Sequence, residues 1–139
     1  MLAVLDVNVL VSAAISTAGP PREILTAWVD GRFELLASPA LLAELRDVLA
    51  RPKFRRWIGT ATAAEFLDGL ADAALIVDDP PARPDLSPDP DDDYLIALAR
   101  AGNADYLVSG DRHLTDLPDP NPPVVTPRQF LELLNASDA

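Results

Sequence analysis

The feature that most constrains this chain is its alternation of short apolar runs with segments of helical periodicity. Leu2–Leu5, Phe33–Ala37, Leu75–Val77, Tyr106–Val108 and Val124–Val125 read as strands. Between them, apolar residues recur three and four apart: Ile24, Leu25 and Trp28; Leu41, Leu45, Val48 and Leu49; Leu95, Ile96, Leu98 and Ala99. Strands covered on both faces read as continuous apolar runs, and helices packed on one side read as stripes. Alternation of the two predicts an α/β fold, a three-layer α/β/α sandwich around a mostly parallel sheet of four to five strands.

Local signals divide the segments. Most of the 14 prolines fall between apolar stretches. Ser38-Pro39 and Thr126-Pro127 each place a capping hydroxyl before a proline suited to a first helical turn. Thr60 reads as the cap of a helix reaching about Ala74. Gly31 and Gly102 stand where helices should end. Lys53–Ile58 reads as a short helical piece, and residues 79–90 and 118–123 as exposed, proline-rich loops. No repeat or second pattern appears, so residues 1–139 are expected to form one domain.

Composition excludes several chemistries. No apolar run approaches the roughly 20 residues that span a bilayer. Met1–Asp6 lacks the basic start of a secretion signal, so a cytoplasmic protein with no membrane association is expected. Cysteine is absent and His113 is the only histidine, which removes thiolate and His-rich zinc sites. A metal here must be held by oxygen, which suits Mg²⁺ or Mn²⁺. The net charge of −11 argues against a broad grip on a polyanion but leaves local binding open.

In a parallel α/β sheet, ligands bind beyond the carboxyl ends of the strands. Asp6 ends the first strand, and Ser109-Gly110-Asp111 follows the fourth. Asp91, Asp92 and Asp93 open the helix before that strand, and Glu44 borders the apolar stripe of the helix after the second. Each has an ordinary structural reading: Asp6 as a helix cap, Glu44 as a solvated residue, the Asp run as a complement to the helix dipole, Asp111 as a turn cap. Asp92, three residues before Leu95 and seven before Ala99, lies nearest the inward face. Together Asp6, Glu44, Asp92 and Asp111 converge on one end of the sheet. Four carboxylates there require cations to stay ionised. Two divalent ions roughly 4 Å apart can activate water and stabilise a leaving oxygen in phosphodiester cleavage.

The segments LAVLDVNVLVSA (2–13), SPALLAELRDVLARPKF (38–54), DPDDDYLIALARAGNADYLVSGDRHL (89–114) and VVTPRQFLELL (124–134) resemble the PIN domain. More narrowly, they resemble the VapC-type toxins of bacterial toxin–antitoxin modules. The resemblance implies a PIN-like sandwich and a Mg²⁺- or Mn²⁺-dependent endoribonuclease. It assigns Asp6, Glu44, Asp92 and Asp111 as the four acids, with Asp93 an alternative third acid and metal ligand. It makes Asn8 and Ser109 supporting polar residues, and it implies a small antitoxin partner and a homodimer.

The basic residues Arg51, Lys53, Arg55 and Arg56 form the one cluster of positive charge. They read either as a solvated helix junction or as a clamp on RNA phosphates, with Arg22 or Arg112 assisting. Trp57 beside them is expected to be buried, with base stacking the alternative. A phospho-acceptor receiver domain would need a lysine near the last strand, and Lys53 is far from it. A dehalogenase-like phosphatase would need an acid where Asn8 stands. The remaining rival is a catalytically inactive PIN domain that only binds RNA or protein.

Overall fold

The structure, a computed structural model, describes residues 1–81 and 89–137. The elements run β1 (Leu2–Leu5), α1 (Val7–Ile15), α2 (Pro20–Val29), β2 (Glu34–Ala37), α3 (Pro39–Leu49), a 3-10 turn (Pro52–Phe54), α4 (Thr60–Ala73), β3 (Leu75–Ile76), α5 (Pro90–Ala101), β4 (Tyr106–Val108), α6 (Arg112–Thr115), β5 (Val124–Val125) and α7 (Pro127–Ser137). The five strands form one sheet in the order β3-β2-β1-β4-β5, and every pairing is parallel.

Parallel neighbours need crossovers, and those crossovers are right-handed. Stepping outward from β1 to β2 to β3 therefore puts α1–α4 on one face. Accordingly α1 packs on α2 and α3, α3 on α4, and α7 on α2. After β3 the direction reverses, so α5 lies on the other face, against β1 and β4. The central strands are covered on both sides: Ala3, Val4, Leu36, Leu107 and Val108 have no exposed surface.

Several local expectations are corrected. Gly59, not Thr60, is the N-cap of α4. Gly102 does cap the end of α5, as expected, but at φ −93; the left-handed residue beyond it is Asn103 at φ 55. A side chain at Gly102 would overlap Leu36, so glycine there permits close approach of α5 to β2. Gly31 does take the left-handed conformation, at φ 77. The one-turn helix α6 was not anticipated. Of the loop expected at 79–90, residues 82–88 lie outside the described residues. Its flanks are engaged: Asp79 accepts hydrogen bonds from Tyr94 and from the Ala40 N–H, and Asp89 caps α5.

Candidate active site

The strand order changes direction between β1 and β4, and such a switch leaves a crevice at the carboxyl ends. In register, Leu5 pairs with Val108, so Asp6 and Ser109 emerge side by side. Asp6 is 8% exposed and Ser109 is fully buried. The Ser109 hydroxyl donates to Asp6 Oδ2 at 2.8 Å and accepts from the Asp111 N–H at 3.0 Å. Asp6 also caps α1, its Oδ1 accepting from the Asn8 N–H at 3.3 Å. Capping thus leaves Asp6 half available: one oxygen serves the helix while the other is held by Ser109.

A cleft of about 170 Å³ opens over these residues. Asp6, Asn8, Glu44, Asp89, Asp91, Asp92 and Asp111 line it, together with Arg51. All four expected acids converge there, and Asn8 sits at the rim. Asp93 is as buried as Asp92, at 5% exposed, but does not line the cleft. Oxygens of Asp92 and Asp111 and a ring nitrogen of His113 lie within 4.8 Å of one another. His113 Nδ1 is 3.7 Å from Asp111 Oδ1, and Asp111 caps α6 by accepting from the His113 N–H at 2.9 Å. The expectation of oxygen-only ligands overlooked this imidazole. The signal available was the position of the sole histidine two residues after Asp111.

Charge crowds this space. Burial, then the Asp111 charge and a carboxyl–carboxyl hydrogen bond to Asp111, push the Asp92 carboxyl up to about 7, with Asp89 and Asp6 adding to the effect. A hydrogen bond between two carboxyl groups requires that one carry a proton. Burial also raises Asp6, against the lowering hydrogen bonds from Ser109 and Asn8. Partial burial raises Glu44, followed by Asp91, Asp6 and Asp89, while Arg51 opposes the shift. The same oxygens, with the His113 nitrogen, form a donor set that fits a divalent ion.

The helices bearing Glu44 and Asp92 are tied together behind the cleft. Ser38 caps α3, its hydroxyl accepting from the Leu41 N–H at 3.2 Å. It also lies 2.5 Å from the Tyr94 hydroxyl of α5, and Tyr94 donates to Asp79. Burial, then the bond to Asp79, lifts the Tyr94 phenol to about 12, so it remains a donor.

The basic cluster is divided by the fold. Arg51 lines the cleft, and Lys53 and Arg56 are exposed. Arg55 turns inward, donating to the Leu49 carbonyl at the end of α3 and to Thr60 Oγ1 at 3.2 Å. Trp57, expected to be buried, is 53% exposed. The tight turn of Pro52–Phe54 sends Ile58, rather than Trp57, into the interior. Arg22 donates to the Ala13 carbonyl and lies outside the cleft lining, as does exposed Arg112.

No helix among the described residues is long and apolar enough to cross a membrane. The fold is shared with PAE2754 from Pyrobaculum aerophilum (TM-score 0.63, 17% identity, 98% of this chain and 90% of that one). VapBC2 from Rickettsia felis, solved bound to a DNA fragment from their promoter, is similar to the same degree (TM-score 0.63, 17% identity, 91% of this chain and 98% of that one). In sequence, the chain is 28% identical to the uncharacterized protein MJ1680 of Methanocaldococcus jannaschii, over 93% of this chain and 88% of that protein. Residues 3–113, which contain every acid of the cleft, match the PIN domain model, and the chain belongs to the PIN domain family.

Proposed function

We infer that this chain is a Mg²⁺- or Mn²⁺-dependent endoribonuclease, one catalytic domain spanning residues 1–139. The observation that carries the reading is the convergence of Asp6, Glu44, Asp92 and Asp111 on one cleft, where oxygens of Asp92 and Asp111 and a nitrogen of His113 lie within 4.8 Å of one another. Asp6, Glu44, Asp92 and Asp111 are the proposed ligands, with His113 able to add a nitrogen. Asp92 takes the third acid role in preference to Asp93, because Asp92 faces the cleft. A divalent cation held there supplies Lewis acidity, acidifying an attacking water and offsetting charge on the leaving oxygen.

The chain's own residues then have distinct tasks. Ser109 and the Asn8 N–H fix the two oxygens of Asp6, so the carboxylate is oriented before a ligand arrives. A cation bound at Asp92 would displace the carboxyl proton, so its binding should strengthen as pH rises through about 7. Arg51 stands at the lip, where its guanidinium can receive a substrate phosphate.

Biologically, the reading is a cytoplasmic toxin held in check by a small antitoxin. The likeness to VapBC2 supports it. So does an apolar groove of about 810 Å³ between α2 and α4, with Val29 and Leu75 of its lining exposed. Homodimerisation is part of the same proposal, and light scattering that finds only monomer removes it. Cleavage of RNA with Mn²⁺, with chelator, and by an Asp6→Asn variant tests the activity. We expect cleavage in the first alone; equal cleavage in all three overturns the reading. Full activity of Asp111→Asn beside a dead Asp116→Asn would reassign the fourth acid.

A further inference from the structure

Trp57 is the largest side chain on the surface that the fold leaves uncovered, at 53% exposed. A tryptophan can bury roughly 150–250 Å² of surface, so leaving one in water forgoes stabilisation. Nor is it on a loose tip. The Trp57 backbone N–H donates to the Phe54 carbonyl at 3.0 Å, Ile58 beside it is buried, and Arg55 ties the turn to Leu49 and Thr60. The Phe54 ring supports it, centroids 6.4 Å apart. Arg56 lies over the indole at 4.8 Å, and Lys53 over Phe54 at 5.0 Å. In a chain of net charge −11, four of the eleven basic residues fall within residues 51–56. The first of them, Arg51, lines the acidic cleft.

An ordered aromatic face flanked by cations suits a nucleic-acid strand whose bases are unpaired: the ring stacks a base, and the cations meet phosphates. A duplex hides its base faces and offers only its phosphates. Arg51 and Trp57 flank one compact turn, built on the 3-10 helix Pro52–Phe54. We propose that Trp57, with Lys53 and Arg56, is a stacking platform for an unpaired base of single-stranded RNA, a few nucleotides from the phosphate held in the cleft. The position of that phosphate rests on the nuclease reading; the stacking does not.

Fluorescence tests this directly. Trp28 is the only other tryptophan, so a Trp28→Phe background reports Trp57 alone. Asp6→Asn is added to prevent cleavage, and the protein is titrated in Mg²⁺ with oligouridylate, oligoadenylate and the duplex they form. Single strands should quench the emission and the duplex should not. In the Asp6→Asn protein, Trp57→Ala should weaken single-strand binding about tenfold, while Trp57→Phe retains most of it. Equal quenching by duplex, or unchanged affinity of Trp57→Ala, overturns the proposal. An emission that ignores every oligonucleotide but shifts with protein concentration assigns the face to a second copy, and also overturns it. Quenching in a protein whose parent cleaves nothing with Mn²⁺ would refute the nuclease reading alone. Metal-dependent cleavage with a silent Trp57 would refute the platform alone.

Discussion

The cleft and the turn beside it are built on opposite terms. In the cleft, the acids are interlocked: Asp6 is held by Ser109 and by the start of α1, Asp111 by Ser109, and Asp92 by Asp111. In the turn, Lys53, Arg56 and Trp57 are exposed, and their recorded side-chain contacts are ring contacts with neighbours in the same turn. On the proposed reading the cleft stores repulsion that a bound cation would release, whereas the turn presents ready charge and aromatic surface. Substitutions in the first should change chemistry and stability together; substitutions in the second should change binding alone.

The largest effect is expected from the cleft acids. Asp6→Asn should lower Mn²⁺-dependent RNA cleavage by about a hundredfold or more, since it removes a buried carboxylate proposed as a ligand at the topological switch. Ser109→Ala comes next. It frees an Asp6 oxygen, and we expect about a tenfold to hundredfold loss of activity or metal affinity. A melt should show destabilisation of about 1–3 kcal/mol, from the buried oxygen left without its donor. Activity and melting temperature both unchanged would show that the hydroxyl does not position Asp6.

The stored repulsion has a pH signature. The Asp92 carboxyl is raised in the folded state from 3.8 to about 7, so across that window the folded protein binds more protons than the unfolded chain. The associated stability is fully present on the acid side and is lost as pH rises towards about 7. Asp6 and Glu44, also raised, act with the same sign. In chelator, the melting temperature attributable to these groups should fall on the order of 5 °C between about pH 5 and pH 8. Mg²⁺ or Mn²⁺ should restore it more at the higher pH, and Asp92→Asn should flatten the dependence. A chelated protein that melts identically across the range would remove the repulsion from the account.

The turn should give the smallest effects. Lys53→Ala with Arg56→Ala should weaken RNA binding a few-fold and flatten its salt dependence, with the melting temperature unmoved. Arg55→Ala is the contrasting control. Its guanidinium is spent on Leu49 and Thr60, so it should lower stability instead. If Arg55→Ala altered the salt slope and Arg56→Ala did not, the division of the cluster would be reversed.

Some of this was legible in the sequence and some was not, for physical reasons. Strand ends are readable, because an apolar run that stops at an acid places that acid; Asp6, Ser109 and Asp111 follow from this. Helical phase set Asp92 apart from Asp93, and of these two only Asp92 lines the cleft. Glu44 was less accessible, since its approach to Asp6 depends on how α3 crosses the strand ends. His113 was hidden because α6 is a single turn, too short for any periodicity. In RPKFRR nothing local distinguishes Arg55, which folds back onto α3, from Arg56, which does not. Trp57 was misjudged because hydrophobicity predicts burial on average, while the tight turn at Pro52 decides the direction of each side chain.

The central claim is that the carboxylate cleft is a divalent-cation site. Calorimetric titration of Mn²⁺ into the wild type and into an Asp92→Asn, Asp111→Asn double variant tests it most directly. The account predicts saturable binding by the wild type, with proton release near neutral pH as Asp92 exchanges its proton for the cation, and loss of both in the variant. Equal binding by the two proteins, with no proton released, would contradict it.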